Sequence, residues 1–279
     1  MRARKTPDVP TIRRPTTITA VILAFNELDL LTTTLPPVKE VCDQLIVVDM
    51  GSTDGSLEYY ESVLTGADQV VFYPRENLFR FGFAHPRNYG AKFAKNEWIL
   101  AIDCDEYIEV DVTRLAIEGL ATSQADCFSV SRLNYAKTFG YHTSDINSIL
   151  QSCPRTQETH RRVYRNIPRI RFEGVIHEEL WIEETNAYHK CENLPLVLHH
   201  LNQYKRDGFE HAKFGLYSYI TLRAVLYPNM RYGTNEFWFT AFARQNITSM
   251  LEASNAFSRE NGLPDIDEAE VKAQIEREL

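Results

Sequence analysis

Short apolar runs alternate with helix-like stretches over the first hundred residues, and this alternation is the feature that limits the fold most strongly. The first run, Ile18–Phe25, is rich in β-branched residues, and its continuous apolar character is typical of a buried parallel strand. Similar runs follow at 44–48, 69–73 and 97–102. Helical stretches run to about residue 40, from 56 to about 64 and from 84 to 95, although Pro36-Pro37 interrupts the first. Since strands and helices in this order form right-handed crossovers, the sequence predicts an α/β fold with a mostly parallel sheet flanked by helices.

Polar side chains follow three of these predicted strands. Asn26 and Glu27 come directly after the first strand, Asp49 ends the second, and acidic residues end the fourth at 103–106. Ligands of parallel α/β sheets bind beyond the carboxyl ends of the strands, where these clusters would meet. The sequence therefore predicts a polar ligand site at that edge of the sheet.

The acidic strand end is the sharpest of these clusters. Asp103, Asp105 and Glu106 fall within four residues, directly after a buried apolar run. Their mutual repulsion costs free energy unless a cation sits among them, and hard oxygen ligands suit Mg2+ or Mn2+. We expect such an ion to hold a diphosphate, with a solvated acidic turn as the plainer alternative.

Two further motifs carry groups that could bind a nucleotide. Asp49 precedes the glycine turn 51–55, where its carboxylate could accept hydrogen bonds from a base or a ribose, or could simply close the turn. Arg87 lies near the start of the helix before the acidic strand. Its guanidinium could pair with a phosphate or make an ordinary surface ion pair.

The second half of the chain offers a base and a further metal ligand. In the stretch 172–179, Glu178 is our first choice for the base that takes a proton from an attacking hydroxyl, with Glu173 in reserve. His199 and His200 end a later apolar run, and an imidazole could complete the coordination of an ion held by Asp105. Because neighbours along a strand point to opposite faces, at most one of the two histidines is expected to do so.

Composition narrows the class of protein and its setting. The 279 residues carry a net charge of -8, which disfavours a general affinity for nucleic acid. The five cysteines are far apart and include no CxxC pair, so we expect reduced thiols and neither a zinc knuckle nor a disulfide framework.

No window approaches the roughly 18 apolar residues of a transmembrane helix, and no apolar stretch follows the basic N-terminus as in a secretory signal. We expect a cytoplasmic protein, with a peripheral contact at the inner face of the cell membrane as the sharper hypothesis.

Beyond residue 110 the pattern becomes mixed. We expect strands at 127–133, 161–165, 169–172 and 196–200, a mobile polar loop over 134–160, and helices at 110–121, 207–226, 235–258 and 266–278. This divides the chain into a flexible basic tail (1–17), a main domain (18–205) and a helical C-terminal extension (206–279).

Taken together, the motifs resemble those of the family 2 glycosyltransferases with the GT-A fold. The resemblance rests on four stretches in the same order and spacing, AFNE at 24–27, VDMGSTDGS at 48–56, PRN at 86–88 and IDCDE at 102–106. It covers about residues 18 to 205, and it implies a Rossmann-like nucleotide-binding half followed by an acceptor half. The stretch 172–179 and the histidine pair are similar to a subgroup that decorates lipopolysaccharide cores, capsules or peptides. The Q-x-x-R-W signature of processive members is absent, which favours the transfer of one sugar or a few.

The resemblance also implies roles for individual residues. The donor, most simply a UDP-linked sugar, would be bound by Phe25, Asn26, Glu27, Asp49, Arg87, Asp103 and Cys104. Asp105 would ligate Mn2+ or Mg2+, with His199 or His200 as a further ligand and Asp103 on the ribose side or at a metal-bound water. Glu178, or Glu173 in its place, would deprotonate a glycan, lipid-linked glycan or peptide acceptor. Such enzymes invert the anomeric centre by direct displacement.

Other functions compatible with an α/β fold fit the sequence less well. A dinucleotide-dependent dehydrogenase needs G-x-G-x-x-G after the first strand, and residues 24–29 contain no glycine. A sugar-nucleotide pyrophosphorylase needs a glycine-rich loop at the same place. An aspartyl phosphatase normally has Thr or Val after the second Asp of D-x-D, where Glu106 stands. An inactive module that binds nucleotide sugars or carbohydrate stays open as the alternative from a different class, as does a sugar-nucleotide-processing enzyme of similar fold.

Overall fold

The computed structural model describes residues 16–138, 140–183, 191–205, 209–228 and 236–278. The predicted basic tail (1–17) lies outside the described residues except for Thr16 and Thr17. Within these ranges the strands are β1 (Ile18–Ala24), β2 (Gln44–Asp49), β3 (Gln69–Phe72), β4 (Trp98–Asp103), β5 (Glu106–Tyr107), β6 (Cys127–Tyr135), β7 (Arg155–Arg165), β8 (Ile170–Glu173), β9 (Glu179–Ile182) and β10 (Cys191–His200). The α-helices are α1 (Leu28–Val41), α2 (Ser56–Val63), α3 (Arg75–Phe81), α4 (Ala84–Ala91), α5 (Val110–Gly119), α6 (Ile146–Ser152), α7 (Phe209–Leu226), α8 (Glu236–Glu260) and α9 (Glu268–Glu278).

Eight strands form one sheet in the order β3-β2-β1-β4-β7-β6-β10-β5, and β8 and β9 form a separate hairpin. The pairs β1–β2, β1–β4 and β2–β3 are parallel, as the alternation of strands and helices requires. The antiparallel strand β7 joins this half to a second one, in which β6 and β10 pair in parallel. The mostly parallel α/β arrangement predicted from the sequence is confirmed.

Helices cover both faces of the parallel half. On one face, Leu31 and Leu35 of α1 join a buried cluster with residues of β1 and β4. On the other face α4 lies so close that a Cβ on Gly90 would meet methyl groups of Val21 and Val48 at 2.6 and 2.5 Å. These strands are therefore buried on both sides, which explains why they are continuous apolar runs.

The two prolines of α1 do not end the helix, which continues through Pro36 and Pro37 to Val41. Pro37 is buried together with Leu35 and Val38. Packing of this face against the sheet offsets the backbone hydrogen bonds that the prolines cannot make.

The prediction of a mobile loop over 134–160 is wrong. Strand β6 continues to Tyr135, α6 follows, and β7 begins at Arg155 and pairs with β6 along its length. Positions 155–159 of β7 are all exposed, so this part of the strand lacks the apolar alternation by which a strand is recognised. The short helix α3, which follows Pro74 and ends at Gly82, was also not predicted.

The expectation of reduced thiols is wrong for two of the five cysteines. Cys127 and Cys191 form a disulfide, with their Cα atoms 5.0 Å apart. They are separated by 64 residues and meet as directly paired residues of the neighbouring strands β6 and β10. Because strand pairing brings them together, no local spacing could have indicated the bond.

The predicted C-terminal helices are confirmed within the described residues. Phe79 of α3 packs edge-on against Tyr219 of α7 and Phe257 of α8, and α9 adds Val271 and Ile275 to the same cluster. The division of the chain at residue 205 into a main domain and an extension stays a prediction. In the part of the chain that the structure describes, no helix has the length and apolar character needed to cross a membrane.

Candidate functional site

A cavity of about 380 Å³ opens where β1 and β4 end. Residues from α3, α4, the β8–β9 loop, the segment after β10 and α7 also line it. The polar and aromatic lining includes Phe25, Asn26, Glu27, Arg75, Arg87, Asp103, Cys104, Asp105, Arg132, Arg162, His177, Glu178, His200, Lys205, Lys213 and Tyr217. The structure therefore brings most of the predicted site residues together, at the edge of the sheet where the sequence places them.

Hydrogen bonds from three elements hold the acidic strand end. The amide of Asp103 donates to Glu106 Oε2 at 2.9 Å, so Glu106 closes the turn between β4 and β5. The hydroxyl of Thr34 on α1 donates to the Cys104 carbonyl at 2.7 Å. The amide of Leu201 donates to the Asp105 carbonyl at 2.8 Å, which ties the end of β10 to the same turn. The residues after β10 consequently lie beside Asp105.

Two arginines hold Asp103. Its Oδ1 lies 2.8 Å from Arg87 Nη2, and its Oδ2 lies 3.1 Å from Arg162 Nη2. Burial alone would raise the pKa of Asp103, but the two guanidiniums outweigh burial and hold that pKa well below its usual range. Asp103 is thus an ionised carboxylate whose two oxygens are both engaged.

Asp105 contacts a histidine and a lysine through the same oxygen. Its Oδ2 lies 3.2 Å from His200 Nε2 and 2.9 Å from Lys205 Nζ. Lys205 Nζ also pairs with Glu27 Oε1, while the Cys104 thiol donates to Glu27 Oε2. Although burial raises the pKa of Asp105, Lys205 and His200 outweigh it and lower that pKa well below its usual value. For Glu27 burial dominates and raises the pKa in spite of Lys205.

The two histidines point to opposite sides of β10, and only His200 faces Asp105. His200 Nδ1 lies 2.7 Å from Asn134 Oδ1, and this contact orients the ring so that Nε2 faces Asp105 Oδ2. The other predicted metal ligand, His199, lies on the opposite side, and such a role for it stays a prediction that its contacts do not favour. Its Nδ1 is 2.8 Å from the Tyr135 hydroxyl and its Nε2 is 3.1 Å from Glu109 Oε1, so both ring nitrogens are engaged away from the cavity.

Glu178 lies in the cavity next to Arg87, whose Nε donates to Glu178 Oε1 at 2.7 Å. The loop that carries Glu178 rests on the backbone of Gly82, since a Cβ there would lie 2.1 Å from the Val175 carbonyl oxygen. The amide of Phe83 donates to that same oxygen at 2.8 Å. Glu173 does not line the cavity, and Arg171 Nη2 donates to its carboxylate at 2.6 Å. The structure therefore favours Glu178 over Glu173 as the candidate base, and the reserve role of Glu173 stays a prediction.

Helix α4 positions Arg87 through two features. Gly90 allows the helix to lie directly on the sheet, as described above. Asn88 forms two hydrogen bonds of 2.8 Å with the backbone of Phe172 in β8, one to the carbonyl and one from the amide. The stretch 86–88 therefore joins the acidic strand end to the hairpin that carries Glu178.

Asp49 is buried beneath its glycine turn. Its Oδ1 accepts hydrogen bonds from the amides of Gly51 and Ser52, each at 2.8 Å, and its Oδ2 accepts from the Ser52 hydroxyl at 2.7 Å. Asn26 completes the arrangement, because its Oδ1 accepts from the Thr53 amide at 2.7 Å. Asp49 thus holds the turn beside the cavity, and its contact with a nucleobase stays a prediction.

Sequence reasoning did not identify two of the residues that line the cavity, Arg162 and Lys205. Arg162 had no usable signal, because it follows the polar stretch 155–161 of β7 and its burial is apparent only in the folded sheet. Lys205 had none either, since its approach to Glu27 depends on the position of β10 in the sheet. Helix α7 supplies Lys213 and Tyr217, and the Tyr217 ring lies against His177 and Phe83 at centroid distances of 6.4 and 5.5 Å.

The fold provides cations for carboxylates that we expected to need a metal ion. Arg87, Arg162 and Lys205 contact Asp103 and Asp105, as described above. Among the described residues, no group of three or more His, Cys, Asp or Glu side chains is arranged to hold a metal. Asp105 Oδ2 and His200 Nε2 are nevertheless spaced as two ligands of one metal ion would be. Adjacent ligands of an octahedral cation lie about 3 Å apart, and these two atoms are separated by 3.2 Å.

Comparisons with known proteins point to one family. Residues 19–211 match the family model described as "Glycosyl transferase family 2". A segment of 95 residues is 34% identical to an uncharacterized glycosyltransferase of Rickettsia bellii and covers 34% of this chain and 30% of that protein. A segment of 97 residues is 28% identical to glycosyltransferase GlyG of Streptococcus pneumoniae and covers 35% of this chain and 32% of that protein. The matched segments thus span about a third of the length of these curated relatives.

Solved structures that resemble this chain include TarS and a mannosyltransferase. S. aureus TarS 1–349 in complex with UDP-GlcNAc has a TM-score of 0.42 and 20% identity, covering 88% of this chain and 75% of that one. The mannosyltransferase PcManGT of Pyrobaculum calidifontis, in complex with GDP-Man and Mn2+, has a TM-score of 0.43 and 14% identity, covering 96% and 89%.

Proposed function

Because this chain belongs to glycosyl transferase family 2, we propose that it transfers one sugar from a nucleotide-sugar donor to an acceptor hydroxyl. One observation carries the proposal beyond the family. A single cavity holds both the Asp105–His200 pair and the Glu178 carboxylate, with Arg87 between Glu178 and Asp103. A donor diphosphate at the acidic strand end would then leave the sugar within reach of a base.

We propose that Asp105 and His200 hold a divalent cation, Mn2+ or Mg2+. When bound, such an ion would offset the negative charge that develops on the departing diphosphate. Asp103, held by two arginines, would accept hydrogen bonds from the ribose. Phe25, Asn26, Glu27 and Cys104 would line the nucleotide cleft. A UDP-linked sugar is the first donor to test.

Glu178 would take the proton of the acceptor hydroxyl as that oxygen attacks the anomeric carbon. Direct displacement at that carbon inverts its configuration. Arg87 holds one oxygen of the carboxylate in place, so little reorganisation is needed at the moment of attack. The acceptor, a glycan, a lipid-linked glycan or a peptide, would enter beside Tyr217 of α7, whose aromatic ring could pack against a sugar ring.

The test is nucleotide release from a panel of UDP- and GDP-sugars in the presence of Mn2+. With an active donor in hand, Glu178→Gln should lower transfer by about 100-fold or more, the range for loss of a general base, while nucleotide affinity in calorimetry stays within twofold. Glu173→Gln is the matched control, because it makes the same change in the same hairpin outside the cavity.

Equal transfer by the Glu178→Gln protein and the wild type would contradict the base assignment. Binding of a nucleotide sugar without turnover in the wild type would favour an inactive binding module instead. A cytoplasmic location, and contact with the membrane surface, stay predictions.

A further inference from the structure

Lys205 contacts the Asp105 oxygen that a bound cation would also use. Its ammonium lies between Asp105 Oδ2, at 2.9 Å, and Glu27 Oε1. All three side chains are almost completely buried, with exposures of 10% for Lys205, 7% for Asp105 and 12% for Glu27. Buried carboxylates need such a partner, since an uncompensated charge in this surrounding is strongly destabilising.

The lysine and the proposed metal ion compete for one oxygen atom. Asp105 Oδ2 is the atom that faces both Lys205 Nζ and His200 Nε2. A divalent ion between Asp105 and His200 would lie within a few ångströms of the ammonium, and the two cations would repel each other in a cavity that water only partly screens. The metal ion can therefore bind Asp105 well only if Lys205 leaves that oxygen.

A donor diphosphate gives Lys205 another partner. Lysine is a compact point charge on a flexible stem, able to move its ammonium by several ångströms without moving the backbone. Glu27 can stay in place during this movement, because the Cys104 thiol donates a hydrogen bond to its second carboxylate oxygen. A diphosphate beside Asp105 would present new anionic oxygens at the same place.

Resting on the function proposed above, we propose that Lys205 is the resident cation of the donor-free site and moves to the donor diphosphate when the metal ion and the nucleotide bind together. Lys205 then opposes the metal ion alone and assists the metal–nucleotide complex. The site consequently discriminates against a divalent ion that arrives without a nucleotide.

The experiment measures two affinities of Lys205→Met, which keeps the apolar stem and removes the charge. Mn2+ alone, followed by its EPR signal, should bind the variant about tenfold more tightly than the wild type, whereas UDP at saturating Mn2+ should bind about tenfold more weakly, each being the effect of one charge-assisted hydrogen bond. These changes of opposite sign are not expected from general damage to the fold. Lys205→Gln carries the same predictions should the methionine variant fail the circular-dichroism check of folding.

Lys213→Met is the matched control. Lys213 lines the same cavity, but its Nζ lies 3.3 Å from Asn202 Oδ1 and 5.6 Å from the Tyr217 ring centroid. Both affinities of this variant should stay within about twofold of the wild type, as for a residue without a charge-assisted contact to either ligand. If both affinities of Lys205→Met also stay within about twofold of the wild type, or if this variant binds Mn2+ more weakly, the proposal is overturned.

A further variant separates this proposal from the metal assignment. Asp105→Asn should abolish binding of Mn2+ in both the wild-type and the Lys205→Met background. If Asp105→Asn abolishes binding but Lys205→Met changes nothing, the Lys205 proposal alone fails. If Asp105→Asn leaves the affinity for Mn2+ unchanged, the metal assignment fails and the Lys205 proposal fails with it.

Discussion

Substitution of Gly82 by alanine should damage the site without touching any group in it. Gly82 has φ 71° and ψ −168°, a backbone conformation that is essentially restricted to glycine and costs other residues about 1–3 kcal/mol. The new Cβ would also lie 2.1 Å from the Val175 carbonyl oxygen, whereas contacts under 3.0 Å essentially never occur. The β8–β9 loop must therefore move away by about 1 Å, and a misplacement of that size costs about 100-fold in rate.

The assay compares nucleotide release and thermal unfolding of Gly82→Ala with those of Gly66→Ala. Gly66 also has a positive φ, 65°, but a Cβ there meets nothing within 4 Å. Both variants should lose stability, and at about 2–4 °C per kcal/mol the melting temperature of Gly82→Ala should fall by several degrees. Only Gly82→Ala should lose activity, because only there does the added carbon displace the loop that carries Glu178.

Equal activity in the two glycine variants would refute this reasoning. It would mean that the loop yields to the new methyl group without moving Glu178, or that Glu178 is not part of the reaction. The affinity for UDP in both variants serves as a check for general damage to the fold, since the proposed nucleotide cleft lies on the other side of Arg87.

Three further predictions concern other parts of the same framework. Arg87→Lys should lower transfer by about 100-fold while the protein still folds, because one ammonium cannot replace a guanidinium that binds two carboxylates through separate nitrogens; equal kinetics would contradict the bridging role. His200→Gln should weaken the binding of Mn2+ and His199→Gln should not, and EPR titration of both variants checks this assignment. Reduction of the disulfide between Cys127 and Cys191 should lower the free energy of unfolding by about 4 kcal/mol, from a chain-entropy estimate for a loop of this length, and the doubly alanine-substituted protein should not respond to reductant.

The parallel half of the fold could be predicted because its strands are buried on both faces. Runs such as Ile18–Phe25 are continuous and apolar for that reason, and the clusters at Asn26 and Asp103 then mark one edge of the sheet. The second half gave a weaker signal. The outer part of β7 is exposed along 155–159, so its residues carry no pattern that distinguishes a strand from a polar loop.

The sequence indicated which residues lie near the site better than it indicated which of them contact each other. Strand alternation correctly limited the histidines to one beside Asp105, but it could not tell which, because the register of β10 against β5 decides that. Arg162, one partner of Asp103, comes from β7, and Lys205, one partner of Asp105, comes from the segment after β10. Ion pairs between elements so distant in sequence follow from the strand order, which periodicity does not reveal.

The position of Arg87 has a consequence for the timing of the proposed reaction. One guanidinium is shared between Glu178 and Asp103, which we propose to lie on the acceptor side and on the donor side, respectively. When Glu178 takes up a proton, its carboxylate loses its negative charge and attracts Arg87 less strongly. The guanidinium is then drawn toward the donor side at the moment when negative charge accumulates on the leaving diphosphate. Proton uptake and bond cleavage would thereby be linked electrostatically through a single side chain.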